Sequence, residues 1–89
     1  MIYELKNFKS DSVQVISFYE TDPETGAETE GTTLEEMLTI SLDRLNMLNK
    51  KYPCRENSIA ITKMQEALMW LNARTADRIA RGVEGKHVA

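Results

Sequence analysis

The spacing of apolar residues changes along the chain, from every second residue in its first third to every third or fourth residue afterwards. Residues 13–19 alternate between two faces and are rich in β-branched and aromatic side chains, which is typical of a strand. Residues 1–12 place single apolar side chains among charges, and predict either a short strand or an arm that docks on a neighbour.

A turn is predicted after the first strand, because Asp22, Pro23 and Gly26 stand in the order that a tight turn prefers. A second, weaker strand over residues 27–30 would then return antiparallel to residues 13–19. Such a hairpin is marginal by itself, so we expect it to pack on helices or on another subunit.

A first helix is predicted over residues 34–50. Thr32 with Glu35 and Thr33 with Glu36 form two overlapping capping boxes before it, and Pro53 prevents its continuation. The residues expected on its core-facing side are Leu34, Met37, Leu38, Ser41, Leu45 and Leu48.

A second helix is predicted from about residues 56–58 to about Arg81, with Asn57 or Ser58 as its N-cap and Gly82 as its stop. Its core-facing arc comprises Asn57, Ala60, Ile61, Met64, Leu68, Leu71 and Thr75. One border of that arc carries Lys63, Trp70, Arg74, Arg78 and Arg81.

These elements predict an α+β fold that is mainly α, in which an N-terminal β-hairpin precedes an antiparallel two-helix hairpin. We expect one domain over residues 1–89, with an arm and β-hairpin (1–31), a helical hairpin (32–81) and a tail (82–89). A chain of 89 residues buries a small share of its surface, so assembly as a homo-oligomer is expected.

Composition narrows the classes of function. A net charge of −3 disfavours coating of DNA or RNA, although a local basic stripe remains able to bind a small anion. The single Cys54 indicates a reducing compartment, and no run long enough for a signal peptide or a membrane span occurs, so a cytosolic protein is expected. Because the sequence offers neither a metal-ligand set nor an acid/base pair, we expect no cofactor, no metal and no enzymatic activity.

The candidate chemistry lies on the second helix. Arg74, Arg78 and Arg81 follow an i, i+4, i+7 spacing that projects three guanidinium groups from one side, and such groups bind phosphate oxygens bidentately. An alternative interpretation is a solvated helix end, with these arginines paired to Asp77 or Glu84.

Other residues could complete an anion site. Trp70 and Tyr52 offer faces for stacking a base, or pack at a helix interface. Arg55 and Asn57 stand at the start of the second helix, where free amides attract anions, although Asn57 could be a simple N-cap. The glycine-bracketed segment 82–85 could wrap a phosphate, or form a frayed tail.

From Gly31 onward the sequence resembles a family of small phage anti-defence proteins, the anti-CBASS and anti-Thoeris sponges that share a hairpin domain. The resemblance is carried by EGTTLEEMLTISLDRL, by YPCREN and by SIAITKMQEALMWLNARTADRIARGVEGKH. Seven short motifs match the family pattern in order and spacing: CREN, TK, EAL, WL, RT, an arginine three residues beyond that threonine, and RGVEG.

This resemblance implies a homo-oligomer, in several members a hexamer, that binds cyclic nucleotide immune signals without degrading them. It implies action in the cytoplasm of the infected bacterium. The ligands are cyclic dinucleotides such as 3′,3′-cGAMP, cyclic trinucleotides, or cyclic ADP-ribose signals of Thoeris-type defence. In the cyclic ADP-ribose branch, the residues that hold the ligand fall on Asn57, Arg74 and Arg78.

Three departures from the family pattern affect the expected ligand. An aromatic residue that stacks on a base in the cyclic ADP-ribose branch falls near Met47 or Leu48, so this chain lacks it. Leu34 stands where the family often has Asn, and Lys86 where it often has Thr. The sequence therefore favours cyclic dinucleotides, with cyclic ADP-ribose signals or a non-nucleotide interaction protein as alternatives, and adds Lys86 to the candidate contacts.

Overall fold

The computed structural model describes residues 1–82. Within them the chain forms two compact units, Met1–Thr33 and a helical unit that begins at Leu34. The predicted tail, including the candidate contact Lys86, lies outside the described residues beyond Gly82.

The N-terminal unit contains four short strands. They are β1 (Ile2–Lys6), β2 (Val13–Ser17), β3 (Glu20–Thr21) and β4 (Glu28–Thr29). β1 pairs antiparallel with β2, and β3 pairs antiparallel with β4. The unit is therefore built from two two-stranded ribbons that follow each other along the chain.

The predicted pairing of residues 13–19 with residues 27–30 is wrong, because β2 and β4 each pair with another strand. β2 pairs instead with β1, in a ladder that runs from Ile2 opposite Ser17 to Lys6 opposite Val13. β1 offers five residues of backbone to this ladder, whereas β4 has two and pairs only with the two residues of β3. The ladder between β1 and β2 satisfies more backbone donors and acceptors than a ladder with the two-residue β4 would, which explains why β2 pairs with β1.

The predicted turn after the first strand is confirmed. The Gly26 amide donates to the Asp22 carbonyl at 2.8 Å, and Gly26 has a φ of 74°. The Glu24 amide donates to Asp22 Oδ1, also at 2.8 Å. This amide lowers the pKa of the Asp22 carboxyl, because a hydrogen bond to the charged form favours it.

Helix α1 spans Leu34–Lys51, one residue beyond the predicted end. Its expected core-facing side is partly wrong: Leu34 and Ser41 are exposed, whereas Leu42, which the prediction omitted, is buried at 7% exposure. Leu42 lies seven residues from both Glu35 and Asn49, which each hydrogen-bond α2, so all three share the face turned to α2.

Helix α2 spans Arg55–Ala80, and its N-cap is Cys54 rather than Asn57 or Ser58. The Asn57 amide donates to Cys54 Sγ at 3.4 Å, so the thiol takes the place of the expected amide or hydroxyl. The predicted core-facing arc is confirmed, since all of its members are half-buried. Gly82, with a φ of 73°, follows the helix as expected.

The two helices are antiparallel. Glu35, at the start of α1, contacts Arg74 near the end of α2, whereas Asn49, near the end of α1, donates to Ser58 near the start of α2. The fold class is therefore confirmed as α+β and mainly α, with a β-hairpin ahead of two helices. Across residues 1–82, no helix combines the length and apolarity that crossing a bilayer requires.

Candidate functional site

The candidate residues form two separate groups in the helical unit. One group, the loop group, lies around the connection between the helices and comprises Tyr52, Arg55 and Asn57. The other, the arginine stripe, lies near the far end of α2 and comprises Trp70, Arg74, Arg78 and Arg81.

The two groups are far apart within one chain. At about 1.5 Å of rise per residue, Asn57 and Arg74 are separated by roughly 25 Å along the axis of α2. A straight helix cannot bring them to one small ligand. A ligand that contacts both groups therefore needs a second copy of the chain, with its loop group placed against the arginine stripe.

Arg74 is held by a carboxylate from the other helix. Its Nη2 atom donates to Glu35 Oε1 at 3.1 Å, and the side chains of Arg74 and Glu35 are 42% and 22% exposed. This is one contact to a guanidinium that carries five N–H donors. The described residues make no further contact to this guanidinium, so its other donors are unused.

Arg81 makes a local ion pair. Its Nε atom donates to Asp77 Oδ2 at 3.0 Å, one helical turn earlier, and both side chains are well exposed. The partner is one of the two that the solvated-helix interpretation expected. Such an exposed pair contributes at most about 1 kcal/mol to folding stability.

Arg78 differs from both neighbours. It is half-buried, and its Nε atom is buried without a hydrogen-bond partner among the described residues. A buried donor without an acceptor costs about 1–3 kcal/mol, so native structures usually supply an acceptor from the chain, a partner or a ligand. Arg78 is thus the member of the arginine stripe whose buried N–H group still needs an oxygen acceptor.

The aromatic candidates are open to solvent in the single chain. Trp70 is 65% exposed and lies one turn before Arg74, whereas Tyr52 is 73% exposed in the loop group. Arg55, the first residue of α2, is also exposed. Each of these side chains is placed where it can reach a ligand or a second copy of the chain.

Asn57 is half-buried within the first turn of α2. Because Cys54 caps the helix, the Asn57 side chain is not consumed as the N-cap. Its amide group therefore retains both donor and acceptor capacity, which recognition of a base or a ribose requires.

Glu35 is the residue that sequence reasoning missed. The capping-box spacing with Thr32 assigned it to the start of α1, but the Thr32 backbone instead bonds Ser17 and Tyr19. A signal was present: Glu35 precedes Leu38 and Leu42 at i+3 and i+7, which puts it on the face toward α2.

The N-terminal unit offers a less suitable surface for an anion. An open depression of about 520 Å³ is lined by Tyr19, Glu28, Thr29, Glu30 and Gly31. Two carboxylates in this lining repel negative charge, so an anionic ligand is favoured at the arginine stripe instead. Residues 1–82 contain no cluster of three potential metal ligands.

Comparison with known proteins places most of the sequence in one family. The family model for the hairpin domain of Acb2/Tad1 matches residues 12–76. A curated protein of Bacillus phage SBSphiJ7, named Thoeris anti-defense 1, is 46% identical over 70 residues, which are 78% of this chain and 49% of that protein.

The chain spans about half the length of this curated relative. The family match includes the whole loop group and, from the arginine stripe, Trp70 and Arg74. It ends two residues before Arg78. Both comparisons agree with the expected phage anti-defence family, and the chain belongs to the Acb2/Tad1 hairpin-domain family.

Proposed function

We propose that this chain is a phage anti-defence protein that binds and sequesters a cyclic ADP-ribose signal of Thoeris-type defence. Its 46% identity to a protein named Thoeris anti-defense 1 supports this ligand class over the cyclic dinucleotides that the sequence analysis preferred. Cyclic ADP-ribose signals are thus the main proposal, and cyclic dinucleotides the alternative.

The observation that carries the proposal is the state of Arg78. Its buried Nε–H lacks an acceptor among residues 1–82, and Arg74 lies one helical turn away with guanidinium donors unused by Glu35. Two guanidinium groups at this spacing suit a pyrophosphate, which presents several oxygens on neighbouring phosphorus atoms. Trp70 adds a face on which a purine can stack.

The proposed action is binding without hydrolysis. Cleavage of a phosphate ester normally uses a metal ion or an acid/base pair, whereas the residues proposed here contribute guanidinium, amide and aromatic groups. A protein that removes a signal from solution needs only high affinity and slow release. The proposal requires no cofactor and no metal, and assigns no role in binding DNA or RNA or in contacting a membrane.

The distance between the two groups supports a site shared by two copies. If the loop group of one chain lies against the arginine stripe of another, Asn57 reaches the same ligand as Arg74 and Arg78. Enclosure between copies excludes water and strengthens charge-assisted hydrogen bonds. Self-association is therefore part of the proposal, in the form of the homohexamer that the family resemblance implies. The proposed place of action is the cytoplasm of the infected host.

A cyclic dinucleotide such as 3′,3′-cGAMP, or a cyclic trinucleotide, is the second candidate ligand. It is favoured by the end of α1, because the family resemblance puts the stacking aromatic of the cyclic ADP-ribose branch near Met47 or Leu48, and neither residue is aromatic. Binding of 3′,3′-cGAMP, with anti-CBASS activity, would support this candidate. A third candidate, a helical-hairpin protein that binds an acidic protein partner, draws on the carboxylate contacts of Arg74 and Arg81.

Calorimetric titration tests the proposal directly. The purified chain is titrated with cyclic ADP-ribose isomers, with 3′,3′-cGAMP and with linear ADP-ribose. We expect tight binding of a cyclic ADP-ribose isomer, recovery of that ligand intact after heating, and loss of binding in Arg74→Ala and Arg78→Ala. Arg44→Ala is the matched control, because it removes an exposed arginine of α1.

The outcomes separate the candidates. Binding of 3′,3′-cGAMP alone would replace the cyclic ADP-ribose proposal with the second candidate. Appearance of a linear product would overturn sequestration without hydrolysis. Absence of heat with every nucleotide, together with an intact fold, would leave the acidic-partner interaction as the better account of the arginine stripe.

A further inference from the structure

Glu35 places a carboxylate directly against Arg74, one of the arginines of the proposed anion site. It lies on α1, while the arginine that it contacts belongs to α2. A negative charge next to Arg74 repels an anionic ligand, so by charge alone Glu35 weakens binding. A benefit to the site has to come from its effect on the Arg74 side chain.

The geometry favours such an effect. Glu35 is the more buried partner, at 22% against 42% exposure for Arg74. Its Oε1 atom accepts from Nη2 at 3.1 Å, the one contact that the described residues make to this guanidinium. The carboxylate is therefore the more buried anchor of the pair, and it occupies one of the five N–H donors of the guanidinium.

Holding a long side chain in advance reduces the entropy lost on binding. A free arginine samples many rotamers, whereas ligand binding selects one, and fixing such a side chain lowers the affinity. Arg74 is tied to α1, while Arg78, one turn along the same helix, has its Nε buried. The guanidinium of Arg74 is then oriented before the ligand arrives.

We propose that Glu35 is a positioning residue for the ligand, which holds the guanidinium of Arg74 in its binding orientation across the helical hairpin. The inference rests on the proposed nucleotide-binding function. It gives Glu35 a role that acts through Arg74 and requires no contact between its carboxylate and the ligand.

The proposal predicts a distinctive order of affinities. Glu35→Ala and Glu35→Gln both remove the repelling charge, but only Glu35→Ala removes the acceptor. The affinity of Glu35→Ala therefore falls about two- to tenfold below that of Glu35→Gln, as Arg74 regains its rotamers. Glu35→Gln keeps an oxygen that accepts from Nη2 and removes the repelling charge, so the affinity equals or exceeds that of the unmodified chain. Asp43→Ala, which removes an exposed carboxylate from the same helix, is the control and is expected to leave the affinity unchanged.

Double-mutant cycles separate positioning from a general structural effect. With 3′,3′-cGAMP and cyclic ADP-ribose as the probes, Glu35→Ala should lose its effect in an Arg74→Lys background. It should keep its effect in an Arg78→Lys background. Helical content by circular dichroism is measured for every variant, and a variant that unfolds is replaced by Glu35→Asp, which shortens the reach to Nη2.

Specific results would overturn the inference. Equal affinities for Glu35→Gln and Glu35→Ala, which both lack the repelling charge, would exclude positioning while leaving the proposed function intact. An undiminished Glu35→Ala effect in the Arg74→Lys background would show that Glu35 acts elsewhere. Failure of the unmodified, folded chain to bind either probe would instead refute the proposed function.

Discussion

Single residues decide local conformation here through backbone contacts. Gly31 is the clearest case, because a Cβ atom at this position would overlap the backbone of Phe18 and Tyr19. The close approach accompanies two hydrogen bonds, from the Tyr19 amide to the Thr32 carbonyl at 3.0 Å and from the Thr32 amide to the Ser17 carbonyl at 2.9 Å. Glycine is thus required at residue 31 by space rather than by a positive φ.

Gly31→Ala tests this requirement. We expect it to destabilise the N-terminal unit by about 1–3 kcal/mol, because backbone atoms have to move to admit the methyl group. Hydrogen exchange of the Tyr19 and Thr32 amides should accelerate accordingly. Glu30→Ala is the control and should alter both rates little, and equal effects of the two substitutions would contradict the close packing at Gly31.

Asp22 makes the β3–β4 turn sensitive to acid. Its folded pKa lies below the ordinary value of 3.8, because the Glu24 amide donates to its carboxylate. The stabilisation is therefore fully present above pH 3.8 and is lost as the pH falls through the lowered folded pKa.

An acid titration followed through the Glu24 amide resonance checks this sign. The resonance should report loss of the hydrogen bond only at acidic pH. In Asp22→Asn, which keeps the acceptor oxygen without a titrating group, it should stay constant over the same range. A transition of the same size in Asp22→Asn would assign the acid sensitivity to another group.

Among the elements, the helical hairpin shows which features the spacing of apolar residues predicts correctly. The arc of α2 that the spacing predicted as core-facing is half-buried along its whole length. The ends of the element were predicted less well, because α2 begins at Arg55 and is capped by the Cys54 thiol. A thiol is a weak acceptor, so propensity favoured the neighbouring Asn57 and Ser58 as caps.

Substitution of the cap tests its contribution to α2. Cys54→Ser supplies a stronger acceptor to the Asn57 amide, whereas Cys54→Ala supplies none. We expect the serine variant to be more stable than the alanine variant by about 0.5–2 kcal/mol in urea denaturation. Equal stabilities of the serine and alanine variants would show that the side chain of residue 54 does not contribute to α2 as its cap.

At the scale of the whole molecule, the main feature is how little apolar surface the single chain buries. Leu42 is the one hydrophobic residue among the described residues that is buried. Large apolar side chains of both helices remain exposed, among them Ile40, Met47 and Trp70. Exposed apolar area of this extent favours association of copies.

A complementation experiment tests association and the shared site together. Asn57→Ala and the double variant Arg74→Ala/Arg78→Ala should each bind no ligand when alone. Coexpression of the two forms mixed assemblies, in which one site combines the intact loop group of one chain with the intact arginine stripe of the other. Binding should then partly return, as measured by native mass spectrometry.

The mass of the assembly and of its bound ligand distinguishes the possible results. The expected result is a ligand-bound species at a multiple of the 10.2 kDa chain mass. No recovery in mixed assemblies would refute a ligand site shared between the loop group of one chain and the arginine stripe of another. A mass that stays at 10.2 kDa at all concentrations would refute self-association.

The sequence by itself determined the order of elements, the faces of α2 and the family, because these depend on local periodicity and on motifs whose residues lie close together in the chain. Tertiary structure decided the pairing of β2 with β1, the burial of Leu42 and the contact between Glu35 and Arg74. These depend on which segments meet in space. Local spacing puts Glu35 on the face toward α2, but its partner is set by tertiary structure, because residues 35 and 74 become neighbours only when the two helices fold back on each other.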